Sequence, residues 1–163
     1  MNTADLQSNL LVRMALMAWD AQNNQFKKVI NSLLDDQLMK EISPGRNSGV
    51  YLLGHLIAVS DAMLPLLGWG DRLYPELEGL FITTPDKSGQ SMPSVKELKE
   101  KLKTVNDALA IHIQAATVEE WLSKHNSVST EDFAKEPHRN KLNVVVSRTN
   151  HMANHIGQLL LLS

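Results

Sequence analysis

Two histidines, His151 and His155, stand four residues apart in HMANHIGQLLLL, and a third, His55, stands in the apolar segment GHLIAVSDAML. Four-residue spacing on a helix puts two side chains on one face, with Cβ atoms roughly 5–6 Å apart. Two imidazoles so placed can share one metal ion at about 2.1 Å each. If His55 faces them from another helix, the chain builds a three-histidine site with open coordination positions. The bland alternative is a set of core histidines satisfied by hydrogen bonds, since a desolvated imidazole needs either a partner or a metal. The residues alone leave both readings open.

The neighbours of the histidines exclude two familiar chemistries. A zinc protease helix carries Glu directly after the first His as general base, and here that position is Met152. A di-iron carboxylate bundle needs inward Glu residues and Glu-x-x-His pairs, and residues 140–163 contain no Glu. The chain has no Cys. That removes Cys nucleophiles, Cys-ligated zinc and c-type haem attachment, and any thiol chemistry must use an external thiol.

Four apolar helical patterns must position the histidines. The first covers residues 3–34, with Leu6, Leu10, Met14, Met17, Ala18 and Ala21 at three- and four-residue spacing, continued by Phe26, Val29, Ile30 and Leu33. The second covers residues 48–67 and carries Leu52, His55, Leu56, Val59, Met63 and Leu66 near one face; Pro65 should end or bend it a turn early. Gly54, directly before His55, permits close packing. The third covers residues 95–116, opens on the capping box Ser94–Glu97, and has apolar positions Leu98, Leu102, Val105, Leu109, Ile111 and Ile113. Thr117–Glu120 repeats that pattern before a short helix through Leu122. The last begins at Asn140 or Lys141 and runs nearly to Ser163, with an inward face of Val144, Arg148, His151, His155 and Leu159 or Leu162. Residues 71–92 contain Pro75, Pro85, Gly79 and Gly89 and read as a long irregular connection; residues 123–139 are polar and irregular. The expected fold is an all-α four-helix bundle with a long crossover connection between helices 2 and 3, forming a single domain over residues 1–163.

Other polar groups bear on the candidate site. Arg148, one turn before His151, could face the site mouth and grip an anionic substrate. Asp20 and Asp61 could orient a ligand histidine as outer carboxylates do, although exposed helix carboxylates are the ordinary case. Trp69 and Tyr74 could line a pocket. His112, His125 and His138 read as surface histidines. The formal charge is −2 with both signs mixed along the chain, so no basic stripe points to nucleic acid. The opening MNTADLQSNLLV lacks the basic region of a signal peptide, and no uninterrupted apolar run approaches the roughly 18 residues of a membrane span. The expectation is a cytoplasmic protein acting on a small molecule.

A helical chain of this length, with one His in GHLI on its second helix and a terminal H151-M-A-N-H155-I-G157-Q158-L159, resembles the DinB/YfiT-like superfamily over essentially its whole length. The resemblance implies a four-helix bundle, often a homodimer. It also implies a divalent metal, commonly nickel, zinc or iron, held by His55, His151 and His155. Members include thiol-dependent S-transferases using low-molecular-weight thiols and proteins that look like metal-dependent hydrolases. The rival class is a non-catalytic helical dimer that binds a metal or a small molecule in a stress response.

Overall fold

The computed structural model describes residues 3–163. Its elements in chain order are α1 (Thr3–Ser32), α2 (Asp35–Leu38), α3 (Gly49–Asp61), α4 (Met63–Leu67), α5 (Glu76–Glu78), a π-helical turn (Gly79–Thr83), α6 (Val95–Ala115), α7 (Val118–Leu122), α8 (Thr130–Lys135), α9 (Lys141–Leu159) and a 3₁₀ turn (Leu160–Leu162). The fold is all-α; the described residues contain two isolated bridges and no strand. The long helices α1, α3, α6 and α9 surround one apolar core. α1 packs most extensively on α9, and α3 lies against both α6 and α9.

Helix starts follow side-chain chemistry. The hydroxyls of Ser48, Ser94, Thr117 and Ser129 and the side chain of Asn140 each accept the backbone N–H three residues on. Each satisfies a donor that the first helical turn would otherwise leave open. The expected capping box at Ser94–Glu97 forms in both directions.

The segment expected as one bent helix is α3 followed directly by α4. The break falls at Ala62, three residues before Pro65. Proline has no N–H for the carbonyl of Asp61 four residues back, and its ring crowds that carbonyl. Together Gly49–Leu67 is a 19-residue stretch long and apolar enough on average to cross a membrane, although His55, Ser60 and Asp61 interrupt its apolar run. It is 78% buried inside the bundle, so its apolarity is that of a core helix.

Three further expectations need correction. On α1 the stripe Leu6, Leu10, Met14 and Met17 is exposed, each residue between 57% and 61%. The buried line is Val12, Trp19, Asn23, Phe26, Val29 and Ile30, roughly half a turn around at about 100° per residue. The first half of α1 thus carries two apolar faces, and the one with the larger aliphatic residues is uncovered. On α6, Ile111 is 68% exposed, because Leu109 and Ile113 take the core face. Residues 71–92 are not wholly irregular: Gly79 has helical backbone angles and continues α5 into the π turn.

That connection runs back along α3. The buried carboxylate of Asp61 accepts the N–H groups of Leu73 and Tyr74 at 2.8 and 2.9 Å. The Tyr51 hydroxyl donates to the Thr84 carbonyl at 2.8 Å, and Ser48 N–H donates to Asp86 at 2.7 Å. The π turn is thereby laid beside His55.

Candidate metal centre

His55 is the one residue of α3 that is not buried. On α9 the core line is Val145, Thr149, Met152, Ile156 and Leu159, so His151 and His155 sit one position to the side of it and are half-buried. The three imidazoles meet there, at the edge of the core rather than inside it. His151 Nε2 lies 3.2 Å from His55 Nε2 and 3.0 Å from His155 Nε2. One ring nitrogen from each of the three lies within 4.8 Å of the other two.

Two of the rings are held by their far nitrogens. His55 Nδ1–H donates to the Phe81 carbonyl at 2.8 Å. His155 Nδ1–H donates to Gln158 Oε1 at 2.7 Å. Each bond fixes the tautomer, so both Nε2 atoms present lone pairs to the centre. Neutral His151 can offer at most one proton from its Nε2. Three inward nitrogens therefore share one proton at best, an arrangement that a shared cation satisfies. Two ligand nitrogens about 2.1 Å from one ion and at right angles lie about 3.0 Å apart, close to the two spacings from His151. The donor set suits a divalent transition ion.

The electrostatics point the same way. Burial pushes His55 below the ordinary histidine range, and the positive ends of His155 and Arg148 push it further, against the opposing Phe81 bond. Burial, then the charges of His155, His55 and Arg148, lower His151 to about 4. Both are neutral at physiological pH, the form that ligates. His151 Nδ1 is buried and has no hydrogen-bond partner.

The ring of His55 is set by its surroundings on α3. Tyr51 lies nearly parallel to it at 6.4 Å and tilts against Phe81 at 5.7 Å. A Cβ on Gly54 would stand 2.4–2.5 Å from three atoms of the Phe81 ring. Gly54 therefore admits Phe81, and Phe81 delivers its carbonyl to His55. A π turn at a functional position is a recurrent device; here the carbonyl that accepts from His55 belongs to one. At Gly157 a Cβ would meet nothing, and the structure gives no packing reason for glycine there.

A family model described as the DinB superfamily matches residues 18–159. The chain belongs to the DinB superfamily. No curated protein matches it.

Not every expected participant of the DinB-superfamily site is there. Asp61 is buried but serves the backbone of Leu73 and Tyr74, not a histidine. Asp20 is exposed and shares a surface pocket with Ile113 and Gln114. Trp69 donates to Glu120 at 3.0 Å and stacks on His112 at 5.3 Å, while Tyr74 lies under the ammonium of Lys101. The orienting groups are instead the Phe81 carbonyl and Gln158. Gln158 had a signal, since it lies three residues after His155 on the same face. The carbonyl had an indirect one in the small residue preceding His55. Arg148, one turn before His151, is half-buried and near enough for its charge to lower both His55 and His151.

Proposed function

We propose that this DinB-superfamily chain is a metal-dependent enzyme of small-molecule chemistry, with His55, His151 and His155 as ligands of one divalent ion such as nickel, zinc or iron. The observation that carries the reading is the convergence of three Nε2 atoms, two of them locked by Nδ1 bonds to Phe81 and Gln158. An ion held by three neutral imidazoles keeps its double charge and supplies Lewis-acid activation of water or of an external low-molecular-weight thiol. The first route is hydrolysis and the second S-transfer. The protein's own contribution is orientation: Phe81 and Gln158 fix two rings, and the apolar neighbours Met152 and Ile156 exclude water from behind the site. Arg148 supplies the positive charge at the mouth.

The exposed stripe of Leu6, Leu10, Met14 and Met17 supports assembly as a homodimer through α1. The same stripe and metal site would also serve a non-catalytic metal-binding dimer, and a hydrolysis and thiol-transfer screen on the metal-loaded protein separates the two.

The test is elemental analysis of protein purified without chelator. About one divalent ion per chain is expected, and His155→Ala should lose most of it. Protein that carries no metal and takes up none on addition would refute the reading.

A further inference from the structure

Beyond the histidines, the turn of α9 before them borders a pocket of about 190 Å³ lined by Leu66, His125, Asn143, Val144, Ser147 and Arg148. No acidic side chain lines it. Arg148 is half-buried, makes no ion pair or hydrogen bond among the described residues, and its Nε is fully enclosed without a partner. An enclosed guanidinium donor left unused is costly, and burial lowers the proton affinity of the group. His125 accepts Ser127 N–H at Nδ1, at 3.3 Å, which leaves Nε2–H as its donor. Burial and the charges of Arg139 and Lys124 hold His125 below the ordinary histidine range, so the field around the pocket is positive. Asn143 and Ser147 add an amide and a hydroxyl. The wall thus sets the donors of His125, Asn143 and Ser147, beside the apolar Leu66 and Val144, around a cation without an ion pair.

We infer that this pocket is an anion subsite that binds the acidic group of the substrate, a carboxylate, phosphate or sulfonate, while its reacting group lies at the three histidines. The inference rests on the proposed metal reading for its second half only. Helical side chains lean toward the N-terminus of their helix. Arg148 therefore covers the turn at Val144, and His151 leans toward Ser147 and Arg148. Ser147 and His151 are separated by about 6 Å along the axis at 1.5 Å per residue. A substrate bridging both carries its acidic group about four bonds from its reacting group, by the same spacing. The class is a short bifunctional acid, not an extended or neutral molecule.

The test begins with metal-free protein and inorganic phosphate, followed by NMR of the side chains of Arg148, Asn143 and His125. Saturable shifts at all three are expected. Arg148→Met should weaken binding about tenfold or more, because it removes the charged donor, and Arg148→Lys should restore part of it. Asn143→Leu, which keeps the charge, should weaken it less. No saturable shift at these side chains, or undiminished binding in Arg148→Met, overturns the subsite whether or not the protein binds metal. The second arm uses cobalt-loaded protein and 3-mercaptopropionate against a neutral thiol of equal length, read by the thiolate absorption band. Arg148→Met should weaken only the acid. Equal weakening of both, or none, overturns the bridging geometry while leaving the metal site intact. Failure to load cobalt refutes the metal reading and the bridging together, and leaves the phosphate result to decide the pocket.

Discussion

Gly54→Ala tests how the site is held. The added Cβ would stand 2.4–2.5 Å from the Phe81 ring, where ordinary contact begins at 3.4 Å, so the ring must retreat by about 1 Å. Phe81 is fully buried, so its ring moves only against its packed neighbours. Overpacking of this kind costs about 1–3 kcal/mol, and replacing a mid-helix glycine by alanine returns about 1 kcal/mol. The net loss of stability is therefore at most about 2 kcal/mol. Metal affinity should change far more. If the Phe81 carbonyl follows its ring by about 1 Å, its 2.8 Å bond to His55 passes beyond hydrogen-bond length. Losing a group that orients a ligand typically lowers affinity 10–100-fold. The assay is a competition titration with a chelating dye, beside urea unfolding of the metal-free protein. Gly157→Ala is the control, since its Cβ meets nothing; its affinity should stay at the parent value. Wild-type affinity in Gly54→Ala, or an equal loss in Gly157→Ala, would show that Phe81 does not position His55.

Metal-free protein should lose stability as pH falls from about 6.5 toward 4. Burial holds His55 and His151 below their unfolded value of 6.5, with His151 at about 4, so the stabilisation is complete above 6.5 and is lost on the way to the folded value. Urea midpoints across that range should fall for the parent and fall less for His151→Gln; equal slopes would contradict the assignment. Asp61→Ala leaves the N–H groups of Leu73 and Tyr74 without their acceptor, which should cost about 2–4 kcal/mol with metal content unchanged. Metal lost at parental stability would instead place Asp61 at the histidines. Sedimentation should find a dimer that Leu10→Glu dissociates; a parent that is monomeric at all concentrations refutes pairing through the α1 stripe.

The convergence of the three histidines was legible because histidine is rare on apolar faces and four-residue spacing survives translation into a helix. The helix caps were legible because Ser94 and Thr117 act on backbone only three residues away. What stayed hidden depends on contacts distant in sequence. Nothing in the letters around Phe81 shows that its carbonyl meets His55, 26 residues away. The two faces of α1 are equally periodic, so periodicity could not tell which one α9 covers. Asp61 looks like any helix carboxylate until the connection folds back over it. His125, set aside as a surface histidine, gains its interest only from the walls of the pocket that Arg148 shares.

His55 and His151 are 96 residues apart in the chain, and that separation governs how the protein is made. Ribosomes add about 5–20 residues per second, so His55 waits on the order of 5–20 s before its partners exist. During that interval α1 also lacks α9, the helix it packs against most. The nascent chain therefore exposes apolar surface until α9 emerges, and a cation shared by the three proposed ligands could be captured only after synthesis has passed residue 155. On the proposed reading, loading would follow synthesis of the last ligand, and the supply of ions at that moment would decide which ion is bound.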